Sequence, residues 1–263
     1  MKITLSVLLT IVSFVGFAQK GTVTYHDGII MKSLNRERTI RIYLPPGYEK
    51  SDKQYPVLYM HDGQNLFADS TSFVGEWHVD ETLDSLYQSD GLALIVVGID
   101  NGGKDRIAEY TAWTHEKYGG GQGAAYADFV VNELKPMIDS TYRTQPNHTA
   151  VIGSSLGGLI SHYIIFKYPE VFNKAGIFSP SYWFSEEVEG FTSSHPLSDE
   201  HKVYTIMGSQ EGKDGVAAFN KQTEKLKTTY GDQVYIEIVE GAEHNELFWS
   251  EQLAACLVWL YRD

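Results

Sequence analysis

The sequence predicts an α/β fold, with a mixed, mostly parallel eight-stranded sheet flanked by helices on both faces. Three observations predict it. Short apolar runs alternate along the chain with stretches whose apolar residues step by three and four. Residues 92–99 form a nearly unbroken apolar run, expected of a central parallel strand covered on both faces. Residues 39–44 alternate polar and apolar instead, as an antiparallel edge strand does.

Residues 1–18 stand outside that fold. Lys2 precedes an apolar run from Ile3 to Phe17, and Gly16, Phe17 and Ala18 suit a cleavage site. This reads as a secretory signal peptide, too short for a membrane span. The expectation is export to the periplasm or the medium, after cleavage near Ala18. Residues 19–263 would then make one domain.

The elements follow in order. Residues 22–32 and 38–44 make an opening hairpin, ended by Pro45-Pro46-Gly47. Residues 56–60 are the third strand. Val79, Leu83 and Leu86 mark a helix, and residues 92–99 hold the fourth strand. A polar loop runs from Asp100 to Gly121. Tyr126, Phe129, Val130, Leu134 and Ile138 share the next helical face, which Pro136 should bend or end. Residues 149–152 are the fifth strand, and 175–178, 203–207 and 234–239 the last three. Leu159, Ile160, Tyr163 and Ile164 mark a helix after the fifth strand. Val216, Phe219, Thr223 and Leu226 mark one after the seventh. Trp249, Leu253, Leu257 and Leu260 line a closing helix.

Composition narrows the function. Thirty-four acidic against twenty-one basic residues give a net charge of −13. Nucleic acid and anionic membrane surfaces are therefore not expected partners. The single cysteine, Cys256, excludes an intrachain disulfide and a cysteine-based zinc site. No metal or organic cofactor is expected.

The chemistry centres on Gly153-Ser154-Ser155-Leu156-Gly157, a Gly-x-Ser-x-Gly run between a strand and a helix. A sharp, strained turn there lifts a serine hydroxyl above the sheet edge. Gly153 and Gly157 leave room for that turn. A serine hydroxyl needs an adjacent base. His244, on the loop after the last strand, is the candidate, with His61 and His78 its nearest rivals. The third member should follow residues 203–207. Glu211 is nearer the strand end; Asp214 is the reserve, better placed to cap the following helix. An oxyanion needs two N–H donors. One is the backbone of Leu156. The other is assigned to Gln64, where Gly63 permits an unusual backbone angle. Serine after strand five, acid after strand seven and histidine after strand eight is the chain order of the α/β-hydrolases.

Phe67, Phe73, Trp77, Tyr110, Trp113, Tyr182, Trp183 and Phe248 all follow strand ends on the serine side. Flat rings suit aryl acyl groups or sugar faces. Trp77, Tyr110 and Trp183, with Asn101 and Arg106, are the candidate substrate contacts. Arg106 and Glu109, three apart, could equally pair with each other.

The chain resembles the putative-esterase family within the α/β-hydrolases. That family includes feruloyl and acetyl-xylan esterases, enterochelin-type esterases and S-formylglutathione hydrolases. The resemblance rests on residues 55–65, Gly98-Ile99-Asp100-Asn101 with Arg106 and Glu109-Tyr110, residues 153–158, Ser179-Pro180-Ser181 and Glu243-His244. It implies Ser155 as nucleophile and His244 as base. It also implies hydrolysis of esters of carbohydrates, siderophores or simple alcohols. Many enterochelin-type members carry a histidine where this chain has Ser154, which weakens the siderophore reading. An exported serine esterase is the expectation, acting on a small-molecule or carbohydrate ester. The alternatives are a siderophore esterase, an acyltransferase on the same triad and a catalytically inactive binding protein.

Overall fold

The computed structural model describes residues 19–72 and 74–262. The expected signal peptide and Phe73 lie outside them. Eight strands form the main sheet: Thr22–Met31 (β1), Arg36–Leu44 (β2), Tyr55–His61 (β3), Ile95–Ile99 (β4), Thr144–Ser154 (β5), Lys174–Phe178 (β6), Lys202–Gly208 (β7) and Val234–Val239 (β8). Their spatial order is β1-β2-β4-β3-β5-β6-β7-β8. β2 is antiparallel to both of its neighbours, and every later pairing is parallel. This is the α/β-hydrolase sheet the sequence predicts.

The helices are Val79–Asp90 (α1), Arg106–Glu109 (α2), Gly123–Asp128 (α3), Lys135–Thr141 (α4), Leu156–Lys167 (α5), Glu187–Ser194 (α6), Lys213–Tyr230 (α7) and Glu246–Tyr261 (α8). They divide between the two faces. Leu83, Leu253 and Leu257 of α1 and α8 pack on Leu58, Val96, Ile152 and Ile206. Leu159, Phe129 and Phe219 pack on Tyr59, Val97, Val151 and Met207, the alternate residues of the same strands. That alternation is the period-two consequence of the pleat. Every residue of α5 from Leu156 to Phe166 is buried, so the serine helix has no solvent-exposed face over that span.

Three local expectations differ. β5 begins at Thr144, five residues before its apolar run, because Thr144 pairs with Tyr55 of β3. Pro136 does not end its helix. Phe129–Leu134 form a π-helical turn that leads directly into α4, with Pro136 in that helix's first turn. A wider turn accommodates a residue that has no N–H. The polar loop after β4 holds a short ladder of its own, Thr114–His115 against Gly119–Gly120. Among the described residues, no helix is long and apolar enough to cross a membrane.

The parallel register aligns one end of the sheet. Met60 lies opposite Ile152, Ser154 opposite Phe178, Phe178 opposite Ile206, and Gly208 opposite Val239. The loops that leave β3, β5, β6, β7 and β8 therefore meet at one edge.

Candidate active site

Ser155 sits where β5 turns into α5, at φ 57° and ψ −121°. A non-glycine residue rarely adopts that backbone, which costs of order 1–3 kcal/mol and persists only when its surroundings impose it. Here the surroundings do. The Ser155 N–H donates to Phe178 O at 3.0 Å, and Ser155 O accepts from Ser181 N at 3.1 Å. A Cβ on residue 153 would lie 2.5 Å from the Gly157 carbonyl oxygen, so only glycine fits. The Ser155 hydroxyl pairs with Ser181 Oγ at 3.3 Å.

Glu211 and His244 come together as the sequence predicts. His244 Nδ1 donates to Glu211 Oε2 at 2.6 Å. The carboxylate side chain is 2% exposed and the imidazole 42%. Glu211 Oε1 accepts from Gly208 N at 2.6 Å and Ser179 Oγ at 2.5 Å. His244 is placed by the helix that follows it. Asn245 is the N-cap of α8, its side chain accepting from Phe248 N at 3.0 Å. Among the hydrogen bonds of the described residues, none joins His244 to Ser155. Such contacts commonly tighten only when substrate binds.

Asp214 is not the cap the sequence suggested. Gly212 holds that position at φ 85°, and Asp214 stands inside the first turn of α7. It lines an open cavity of about 520 Å³ with Glu211, His244, Pro180 and Trp183. The rival histidines are elsewhere. His61 is buried, with Nδ1 on Tyr126 Oη at 2.8 Å, and burial lowers its pKa to about 3. His78 stands beside Glu76 and Glu81 at the start of α1.

The loop after β3 takes its shape from Asp62. The unusual backbone angle lies at Asp62, φ 55°, and not at Gly63. Gly63 is needed for another reason: a Cβ there would meet the backbone of Ile99 and Asp100 at 2.8 Å. Arg106 Nε and Nη2 hold the two Asp62 oxygens at 2.7 and 2.8 Å. Asn101 Nδ2 adds a bond of 2.6 Å, and the Tyr110 hydroxyl accepts from Asp62 N at 3.0 Å. Gln64 Oε1 accepts from Asn101 N.

The five expected substrate contacts are placed differently. Asn101, Arg106 and Tyr110 grip Asp62 behind the loop. Tyr110 is fully buried, and Trp77 packs in the core against Phe178 and Trp249. Trp183 alone of the five is open, 49% exposed, on the cavity wall. Arg106 and Glu109 do not pair with each other either; Glu109 is buried between Arg36 and Arg38.

Sequence reasoning missed Asp62, Ser179, Ser181 and Trp249 as parts of the site. Glu246 is a fifth: burial raises its carboxyl pKa, and it lies in the field of Asp62, His244 and Arg106. Asp62, Ser179 and Ser181 fall in stretches that carry the family resemblance, which was their one signal in the sequence; Trp249 and Glu246 are marked only by adjacency in space.

The geometry has known relatives. A family model described as Putative esterase matches residues 31–260. The uncharacterized protein YbbA of Bacillus subtilis is 30% identical over 92% of this chain and 97% of its own length. An endo-1,4-beta-xylanase/feruloyl esterase of Xylanibacter ruminicola is 27% identical over 83% of this chain, which spans 28% of that longer protein. The crystal structure of BES protein from Bacillus cereus superposes with a TM-score of 0.76 at 22% identity, covering 98% of this chain and 99% of that one.

Proposed function

The chain belongs to the Putative esterase family of carboxylic ester hydrolases, and on that premise we propose that it acts through Ser155, His244 and Glu211. The observation that carries the reading is the 2.6 Å bond from His244 Nδ1 to a buried Glu211, beside a serine held at a strained strand-to-helix turn. With Nδ1–H given to Glu211, Nε2 keeps its lone pair and serves as the base. Ser155 Oγ bonds to the ester carbonyl carbon as its proton moves to Nε2. The carbonyl oxygen becomes an oxyanion, received by the N–H groups of Leu156 and Gln64. The ester C–O bond then breaks, and the leaving alcohol takes the proton from Nε2. Water repeats the sequence on the acyl-enzyme: its oxygen bonds to the acyl carbon, and Ser155 recovers its proton. Glu211 stabilises the imidazolium at each passage without taking the proton itself.

The proposed substrates are aryl or carbohydrate-linked esters. Trp183, flat and open beside His244, supports this, as does the feruloyl esterase relative. Export after cleavage near Ala18 is part of the same proposal, as is one catalytic domain over residues 19–263. A fluorophosphonate probe tests the nucleophile. Wild-type protein is expected to label at Ser155, and folded Ser155→Ala to lose labelling with about three or more decades of kcat. Labelling that survives Ser155→Ala would refute the assignment.

A further inference from the structure

Glu211 is the residue in this site that is hardest to keep still. A glutamate carries one more rotatable bond than an aspartate, and ordering it costs correspondingly more. Its Oε2 serves His244. Its other oxygen, Oε1, must therefore fix the rotamer. Two donors meet there: Gly208 N at 2.6 Å and Ser179 Oγ at 2.5 Å. Gly208 is at the end of Glu211's own strand, whereas Ser179 comes from the loop after β6.

The direction of the Ser179 bond is settled by its second partner. Trp249 Nε1 lies 2.8 Å from Ser179 Oγ. An indole N–H can only donate, so Ser179 Oγ accepts from it. A carboxylate oxygen can only accept, so the one hydroxyl proton of Ser179 goes to Glu211. A one-way chain results: Trp249 donates to Ser179, Ser179 to Glu211, and His244 to the other oxygen of the same carboxylate. Trp249 also meets the far end of this chain. Its ring stands edge-to-face with His244, centroids 4.9 Å apart and planes at 87°.

The backbone bears a cost to keep Ser179 there. Its φ is 44°, a left-handed conformation that serine seldom takes. Its N–H is anchored on Ile206 O at 2.7 Å, and its residue is 1% exposed. Glycine would relieve the strain, yet the position holds a hydroxyl. We infer that Ser179 and Trp249 are positioning residues: through a Trp249–Ser179–Glu211 chain they hold the acid in the one rotamer that orients the His244 imidazole. The inference rests on Glu211 being the acid of the triad.

The test compares Ser179→Ala, Ser179→Gly and Trp249→Phe with Glu211→Gln. Ser179→Gly removes the hydroxyl while suiting the backbone, so relief of the φ strain offsets part of the cost of the lost bond, and a urea melt checks that it is folded. Trp249→Phe removes the N–H donor and keeps a ring against His244. Both Ser179 variants are expected to lower kcat about tenfold to a hundredfold, as outer partners of catalytic ligands do, with KM within about twofold. Trp249→Phe, one bond further out, is expected to lose less, about threefold to tenfold. In all three, the downfield proton resonance of His244 Nδ1 should broaden as that proton exchanges faster with water. Near-normal kcat in Ser179→Gly would overturn the inference. So would an unchanged Nδ1 resonance in variants that have lost activity, because the loss would then lie elsewhere. An active Glu211→Gln would instead overturn the triad reading on which the inference stands.

Discussion

Two buried carboxylates flank the serine, and they are wired differently. Asp62 faces a permanent cation. Arg106 grips both of its oxygens and Asn101 adds an amide. Burial alone would lower the Arg106 pKa, but Asp62 beside it raises it, so the guanidinium stays charged. Among the described residues, no lysine or arginine hydrogen-bonds to Glu211. A backbone N–H, a hydroxyl and an imidazole satisfy it. Its charge is hydrogen-bonded but not cancelled. The same functional group thus does two things. Asp62 spends its charge on a fixed ion pair and shapes a loop. In the proposed mechanism, Glu211 keeps its charge for an imidazolium that forms only during turnover. A carboxylate paired with arginine in the ground state has little left to offer a transition state.

Neutral isosteres break this comparison most directly. Glu211→Gln should cost about four decades of kcat with little change in stability, because the imidazole loses the anion that sets its tautomer. A near-normal rate would mean that the imidazole needs no such partner. Asp62→Asn should do the reverse in emphasis. It leaves Arg106 without its anion, so a urea melt should show a loss of about 2–3 kcal/mol, discounted for the partial exposure of the guanidinium. An unshifted midpoint would show that the pair adds nothing to the fold.

The histidines repeat the contrast, with a smaller effect. His162 is buried between Tyr182 Oη and Thr192 Oγ1, and burial lowers its pKa to about 3. The unfolded chain binds a proton near 6.5 that the folded chain refuses. Stability from His162 is therefore complete above about pH 6.5 and is lost as pH falls toward 3. Between pH 7 and pH 5 the loss should be about 2 kcal/mol. Subtracting the pH profile of His162→Gln from that of wild type isolates it from other titrating groups, and a flat difference would contradict the burial argument. The smallest effect belongs to Asp214→Asn. That residue has no cap to lose, only a favourable charge in the first turn of α7, worth under about 1 kcal/mol. Activity should be spared. An inactive Asp214→Asn with an active Glu211→Gln would exchange their roles.

By itself the sequence determined the order of the eight main strands and of the longer helices between them, and the place of each motif along the chain. Apolar periodicity is a local signal, and an all-apolar run such as residues 95–99 has few alternatives to a covered strand. The Gly-x-Ser-x-Gly run specifies its own turn, because a Cβ at residue 153 has nowhere to go. Glu211 and His244 were legible because each follows a strand end at one edge of a parallel sheet. The tertiary structure alone decided what those residues touch. Arg106 could have faced the substrate or Glu109; its choice of Asp62 depends on two loops, after β3 and after β4, meeting in space. Trp77 and Trp183 are the same residue type after strand ends, yet one fills the core and the other lines the cavity. Ser179 and Trp249 lie 70 positions apart and join the site only through packing. Side-chain partners are set by which elements the core brings together, and no window of the chain contains that information.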